Sequence, residues 1–372
     1  MAPKDGRIVS NLKAVRKSRG LSQSELAERV GVKRQAVYDM ETGRYMPNTH
    51  LALRLARELS CGVEDLFALD ETGEHRSVTL VEGTCRGSLR VSLAKVRDRI
   101  IAYPIEGRWM MSHGFLAADG LLEQGGDRAQ LLSEPDHLDR KILLLGCDPA
   151  FSILKAHIAR WACDAAVDCR FASSQLALER LADGYAHIAG THLHSDGPAQ
   201  GNLGFARRCL RGAGAMVVTF SSFEEGLMVA PGNPLRIRSV TDLANGRIRF
   251  VNREPGAALR MLLDDRLAQA GVDVRSIRGY DRLLPNHSRC AQMVAASMAD
   301  AALGLRAVAS AYEIDFVPLE VVCCDLVIPS DLLELKAVKI LLDVLQAGVL
   351  RKELAALPGY DPSNTGKVVG VV

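Results

Sequence analysis

The sequence predicts a multidomain chain: an all-α N-terminal domain, a small β-rich middle module and a two-lobed α/β C-terminal domain. Three observations predict it. Residues 9–67 carry apolar residues at helical spacing, interrupted by glycine turns. Residues 76 to about 125 carry short alternating runs instead. From Lys141 onward, continuous apolar runs alternate with helical patterns, as buried parallel strands covered by helices require. The expected divisions are 1–69, 76–135 and 140–372, with the second lobe of the last at about 231–318.

The first domain reads as five helices. Leu21-Ser22-Gln23-Ser24-Glu25 opens one with a capping box, Ser22 covering an orphan N–H and Glu25 reaching back three residues later. Gly31 stops that helix, because glycine tolerates the left-handed backbone of a tight exit, and Lys33 to Glu41 begins the next. Two short helices about such a turn form a helix-turn-helix. On the second, Lys33, Arg34, Gln35 and Tyr38 form a polar face, while Ala36, Val37 and Met40 point inward at helical spacing. Gln and Arg can contact adenine and guanine edges bidentately, so this face suits the DNA major groove. Gln23, at the start of the preceding helix, and Arg44, in the loop after the second, are placed as phosphate contacts.

Leu12, Arg16, Gly20-Leu21-Ser22-Gln23, Glu25-Leu26-Ala27, Gly31-Val32, Arg34-Gln35, Glu41, Gly43, Pro47 and Leu66-Phe67 together resemble the lambda-repressor and Cro-like family of helix-turn-helix regulators, also called the xenobiotic-response-element family. The resemblance implies sequence-specific binding of double-stranded DNA, as a homodimer on a pseudo-palindromic operator.

Charge agrees with a nucleic-acid partner at this end. Residues 1–67 hold 12 Lys+Arg against 8 Asp+Glu, so the remainder must be slightly acidic to leave the whole chain at +2. No apolar run approaches the roughly 20 residues of a membrane helix, and the N-terminus lacks the apolar core of a signal peptide; a cytoplasmic protein with no membrane partner is expected. Nine cysteines, without a Cys-x-x-Cys pair, fit reduced thiols better than a disulfide framework. Cys323 and Cys324 lie side by side in an apparent strand and should face opposite ways.

After a polar linker at 68–74, Val78–Val81, Leu89–Leu93 and Arg99–Tyr103 read as strands, with Glu82-Gly83 and Arg97-Asp98 as turns. Trp109 and Phe115 are expected in the core of this module.

In the C-terminal domain the expected strands are Ile142–Gly146, Val167–Phe171 and His187–Gly190, followed by helices at Pro149–Ala162 and Ser173–Leu181 after the first two. Ligands of such sheets bind beyond the carboxyl ends of the strands, where helix N-termini present free N–H groups. Cys147, Asp148, Ser173, Ser174, Thr191 and His192 sit at that edge; either serine alone is equally a helix cap. A second lobe begins near Ala230, with a strand at Arg249–Val251 leading into Asn252, Arg253 and Gly256, a helix at Ala257–Ala270 and a strand near Asp300–Leu305. The chain returns through Asp315–Pro318 and Asp325–Pro329 and closes with helices from Asp331 to Leu357. Two lobes joined by crossing segments describe a hinged clamp.

Gly146-Cys147-Asp148-Pro149-Ala150, Ala189-Gly190-Thr191-His192-Leu193, Val229-Ala230-Pro231-Gly232-Asn233-Pro234, Phe250-Val251-Asn252-Arg253 and Gly359-Tyr360-Asp361 resemble the periplasmic-binding-protein-like domain of cytosolic regulators. Relatives of that domain also occur fused to a molybdopterin biosynthesis enzyme and are often described as molybdate-binding. The resemblance therefore implies a substrate-binding fold over residues 140–368 and molybdate or tungstate as the effector, with Asn252, Arg253 and Gly256 completing the ligand set. The chain departs from the family pattern after Arg253, where Gly-Ser-Gly-Thr-Arg is replaced by Gly256-Ala257-Ala258-Leu259-Arg260 and two hydroxyls are lost.

His192 and His194 share one face of an extended segment, with His287 and Cys147 as further donors, but no third ligand stands at metal-site spacing, so no metal or other cofactor is assigned. No nucleophile, base and orienting partner stand together in the sequence, and no catalytic residue is assigned. The expected function is a ligand-responsive transcriptional regulator that is not an enzyme; the alternative is an enzyme or cofactor-binding protein acting on a pterin-like or organic anion, with the N-terminus as a DNA-recruiting module.

Overall fold

The computed structural model describes residues 8–69, 74–83, 89–105, 115–193, 201–212 and 214–372. Trp109 and His194 lie outside them. The chain divides into two compact units, residues 1–75 and 76–372.

The first unit contains β1 (Ile8–Ser10), α1 (Leu12–Ser18), α2 (Gln23–Val30), α3 (Arg34–Glu41), α4 (Thr49–Leu59), α5 (Val63–Leu66) and β2 (Phe67–Leu69). Both halves of the capping box form at α2, and Gly31 ends it in the left-handed conformation with φ of 67°. Asn48 caps α4 by accepting from Leu51 N at 2.9 Å. Leu12, Leu26, Val30, Val37, Met40, Leu55, Leu59 and Leu66 form the core on which the helices converge. β1 and β2 pair antiparallel; three residues each are too few to show an alternation in sequence.

The second unit starts with a six-stranded sheet rather than the three expected strands. β3 (His75–Ser77), β4 (Thr79–Leu80), β5 (Leu89–Val96), β6 (Arg99–Pro104), β7 (Gly120–Leu122) and β8 (Arg128–Leu131) lie in the order β3-β8-β7-β5-β6-β4. Phe115 was expected in the core but is 83% exposed. It stands outside any strand, ahead of β7, so no sheet face carries it inward.

α6 (Pro135–Arg140) leads into the α/β part. Its elements are β9 (Lys141–Gly146), α7 (Phe151–Trp161), β10 (Ala166–Phe171), α8 (Ser174–Ala182), β11 (Ile188–Thr191), α9 (Gly201–Leu210), β12 (Ala215–Val229), β13 (Phe250–Arg253), α10 (Ala258–Gln269), β14 (Leu283–Leu284), α11 (His287–Ala295), β15 (Ala301–Leu305), α12 (Arg306–Ala311), β16 (Asp315–Pro329), α13 (Lys336–Gln346), α14 (Gly348–Ala355), β17 (Tyr360–Asp361) and β18 (Val368–Val371). All six residues of β9 are buried, as a central parallel strand requires.

The strand order is β10-β9-β11-β16-β12-β15-β13-β14, with β17 and β18 also paired to β12. β9, β10 and β11 run parallel, which brings their carboxyl ends to one edge. β13 is parallel to β14 and β15 in the second lobe. The segments Asp315–Pro318 and Asp325–Pro329, expected as separate strands, are the two ends of β16. It pairs with β12 along almost the whole length of both, with register shifts between Thr219 and Ser221 and between Glu225 and Gly226. These two long antiparallel strands belong to both lobes and form the crossing. Asn252 and Arg253, expected in a loop, close β13 instead.

Candidate ligand cleft and DNA-reading face

A cavity of about 240 Å³ opens between the lobes. One wall is Gly146 to Pro149 with Phe151 and Ser152, from the end of β9 and the start of α7; Cys169, Arg170 and Phe171 of β10 flank it, and Asn286, His287 and Ser288 at the start of α11 face it from the second lobe. Two helix N-termini, one per lobe, thus meet at one space, each contributing positive potential.

Of the residues singled out from sequence, Cys147 and Asp148 line the cavity. Asp148 is 4% exposed and accepts from Tyr360 Oη at 2.6 Å and from Ala150 N at 2.8 Å. Burial pushes its carboxyl above the usual range, against these two hydrogen bonds. Arg253 is 1% exposed. Its guanidinium lies 5.3 Å from the ring centre of Phe171 in the opposite lobe, with Nη1 at 3.2 Å from His287 Nδ1 and Nη2 donating to Pro285 O at 3.2 Å, while Nε is buried without a partner. Burial, then the Arg253 charge, hold His287 well below its ordinary pKa, so the imidazole is neutral and accepts from the guanidinium.

Behind the cavity, His192 stands with Nε2 3.2 Å from Glu225 Oε1 and both ring nitrogens 3.6 Å from Cys147 Sγ. Burial alone would depress its pKa; Cys147 and Glu225 outweigh that and hold it well above the ordinary value. Cys147, His192 and Glu225, far apart in the sequence, are therefore adjacent in space.

The other expected ligand residues have internal partners. Ser173 Oγ caps α8 by accepting from Leu176 N at 3.4 Å, and Ser174 Oγ accepts from His192 N at 3.2 Å. Thr191 donates to Asn202 Oδ1, whose amide donates to Asp325 and to Cys323 O. Asn252 Nδ2 donates to Tyr280 O and its Oδ1 accepts from Arg253 N. Gly256, at φ of 85°, sits where an added Cβ would be 3.6 Å from both Ser173 Oγ and Gln175 Oε1, so the turn before α10 lies against the start of α8 across the cleft. The expected ligand set did not include Glu225, Arg170, Asn286 or Ser288, nor Cys324 and Tyr360, which the sequence showed only as a strand residue and as part of the family pattern. Cys323 is exposed and Cys324 fully buried, the opposed orientation that adjacent strand positions require. Among the described residues no group of three or more His, Cys, Asp or Glu is arranged to hold a metal ion.

In the first unit, Lys33, Arg34, Gln35 and Tyr38 are exposed on one side of α3. Gln35 Nε2 donates to Asp39 Oδ1 at 3.0 Å, and Arg44 lies 5.7 Å from the ring centre of Tyr38. Gln23 is half-buried and donates to Glu41 Oε2 at 2.8 Å, so in this state its amide is committed within the unit.

A DNA-binding head joined to a two-lobed binding fold is the class of protein these features define. The chain belongs to the PBP superfamily domain family, which residues 155–346 match, and residues 12–66 match the helix-turn-helix family. The Bacillus subtilis (strain 168) protein YvgK is 30% identical over 238 residues, covering 64% of this chain and 76% of its own. A protein in the ferredoxin 2Fe-2S gene 5' region of Clostridium pasteurianum is 36% identical over 110 residues, 29% of this chain and 97% of its own. An HTH-type transcriptional regulator of Methanothermobacter thermautotrophicus is 56% identical over 59 residues, 16% of this chain and 86% of its own. No helix among the described residues is long and apolar enough to cross a membrane.

Proposed function

We propose that this chain is a one-component transcriptional regulator, a binding protein rather than an enzyme, whose two-lobed domain closes on a small anion and thereby changes how the helix-turn-helix grips its operator. The observation that carries the effector class is the cavity flanked by the N-termini of α7 and α11. Its size, about 240 Å³, is below the roughly 300–1,000 Å³ of drug-sized ligand pockets and favours a ligand of few heavy atoms. Ser152 and Ser288 supply hydroxyls at the wall, in place of those missing after Arg253. Molybdate or tungstate follows from the family resemblance and is the first effector to try.

On DNA, the exposed Arg34, Gln35 and Tyr38 read bases while Lys33 and Arg44 hold phosphates, with two copies of the chain on a pseudo-palindrome in the cytoplasm. Because effector and DNA act through one conformational equilibrium, each alters the affinity for the other by the same factor.

The test is a thermal-shift titration of the full chain with molybdate and tungstate, using sulfate and phosphate at matched ionic strength as controls. A selective, saturable rise is expected, since a ligand at about 100 times its Kd adds about 2.7 kcal/mol. No rise with any of the four anions overturns the oxyanion reading.

A further inference from the structure

The anion reading leaves one part of the cleft unused. Cys147 lines the cavity with its sulfur 3.6 Å from the His192 nitrogens, and Glu225, wholly buried in the crossing strand β12, has Oε1 3.2 Å from Nε2 of the same imidazole. Phe223 holds the ring edge-on, with centroids 5.3 Å apart. The groups acting on this imidazole are Cys147, Glu225, Cys324 and Asp148, with His287 across the cleft.

Two other thiols are close by, and both are quenched. Burial pushes Cys169, also on the cavity wall, up to about 12, and holds Cys324 well above the ordinary thiol value despite its hydrogen bond to His192. Among the described cysteines, Cys147 alone combines the cavity, an adjacent imidazole and a carboxylate beside that imidazole, the arrangement that activates a cysteine nucleophile.

We infer that Cys147 is a nucleophile that captures a small α,β-unsaturated carbonyl compound in the cleft, with His192 holding the thiol proton and Glu225 orienting the imidazole. This inference rests on the cleft being a ligand site, but on different side chains from the anion reading. The class follows from the walls: Phe151, Phe171 and Pro149 suit a short apolar body, and the Ser288 hydroxyl suits a carbonyl oxygen. In the step, the bond from sulfur to the β-carbon forms as the alkene π pair moves toward the carbonyl oxygen. His192 then delivers the proton to the α-carbon. The net change is addition of S–H across C=C, with no oxidant and no leaving group.

The test exposes the reduced full chain to acrylamide at about pH 6 and follows each cysteine by peptide mass mapping. The adduct at Cys147 is expected to form at least about tenfold faster than at the exposed Cys163 and Cys323, because the adjacent imidazole can take up the thiol proton as the sulfur attacks. Raising the pH to about 8 should narrow that advantage, a readout that a merely structural role of His192 would not move. His192→Gln should remove the advantage of Cys147. If that variant does not fold, the comparison among cysteines of the natural chain still decides. Reaction at Cys147 no faster than at Cys163 at about pH 6 overturns the inference. Oxyanions that leave the melting temperature unchanged while the Cys147 adduct still forms would overturn the anion reading alone.

Discussion

Arg170 stacks its guanidinium on the ring of Tyr103, 4.8 Å from the centroid, and so ties the wall of the ligand cavity to the six-stranded sheet. The same side chain donates to Pro104 O and lies 3.6 Å from Asp168 Oδ2. It is 3% exposed, so the cation is balanced inside the protein rather than by water. Arg170→Met keeps much of the volume but strands part of that balance, and should destabilise the second unit by about 3 kcal/mol in urea unfolding. A loss within about 0.5 kcal/mol would show that the contact is ornamental.

The sheet module is also bound to the α/β part through Lys141, the first residue of β9. Its ammonium meets Asp119 and donates to Ser92 Oγ at 2.7 Å, and Ser92 donates to Asp168 at 2.6 Å. Burial would raise the Asp168 pKa, but Lys141 and then Arg170 outweigh it and hold the carboxyl below its ordinary 3.8. A depressed carboxylate contributes stability above its unfolded pKa and loses it as pH falls through the folded one. The second unit should therefore hold its melting temperature at neutral pH and lose this contribution below about pH 4. Lys141→Met should cost about 3–5 kcal/mol and flatten that acid limb; an unchanged acid limb would sink the assignment.

In the first unit, Arg16 grips Glu41 with Nε at 2.5 Å from Oε1 and Nη2 at 3.2 Å from Oε2, linking α1 to α3. The two side chains are 8% and 2% exposed. Arg16→Met leaves the Glu41 carboxylate buried with only Gln23 to satisfy it, and should lower the stability of this unit by about 3–5 kcal/mol. Proteolysis of residues 1–75 within the full chain is the measurement. Cleavage no faster than in the natural chain would mean that water reaches Glu41.

What was legible in the sequence is local: the capping box of α2, the left-handed Gly31, the six-residue apolar run of β9 and the opposed Cys323 and Cys324 all follow from short-range rules. β16 read as two strands because residues near its middle, such as Glu320 and Val321, are exposed and break the apolar pattern. Glu225 did leave a signal, since it falls on the same strand parity as Phe223 and Leu227, which are both buried. An acid on the apolar parity of a buried strand requires a partner. The partner, His192, belongs to a distant loop, and no periodicity connects the two; the pairing exists only because β11 and β12 flank β16 in the sheet.

The crossing strands have little room. Gly226 follows the second register shift of β12, and a Cβ there would come within 2.1 Å of Val317 O and 2.8 Å of Phe316 Cζ. The backbone carbonyl cannot swing aside as a side chain would. Gly226→Ala should force β12 and β16 apart, cost about 1–3 kcal/mol, and weaken any effector that binds both lobes. Wild-type unfolding together with wild-type effector affinity would show that the crossing tolerates the added methyl.

On the DNA-reading face, Gln35 and Arg44 should separate by what they read. Gln35 is exposed and held toward Asp39, within the part of α3 that enters the major groove in helix-turn-helix docking. Gln35→Ala should cost about 1–3 kcal/mol on the preferred operator and almost nothing on random DNA, relaxing sequence preference. Arg44 lies beyond the end of α3, beside the Tyr38 ring, where a cation meets a phosphate whatever the base. Arg44→Ala should weaken all sequences alike and reduce the slope of log affinity against log salt by about one. Binding to specific and random duplexes across a salt series distinguishes the two roles. Equal losses on both duplexes for Gln35→Ala would remove it from base reading and leave Arg34 and Tyr38 as the contacts to test.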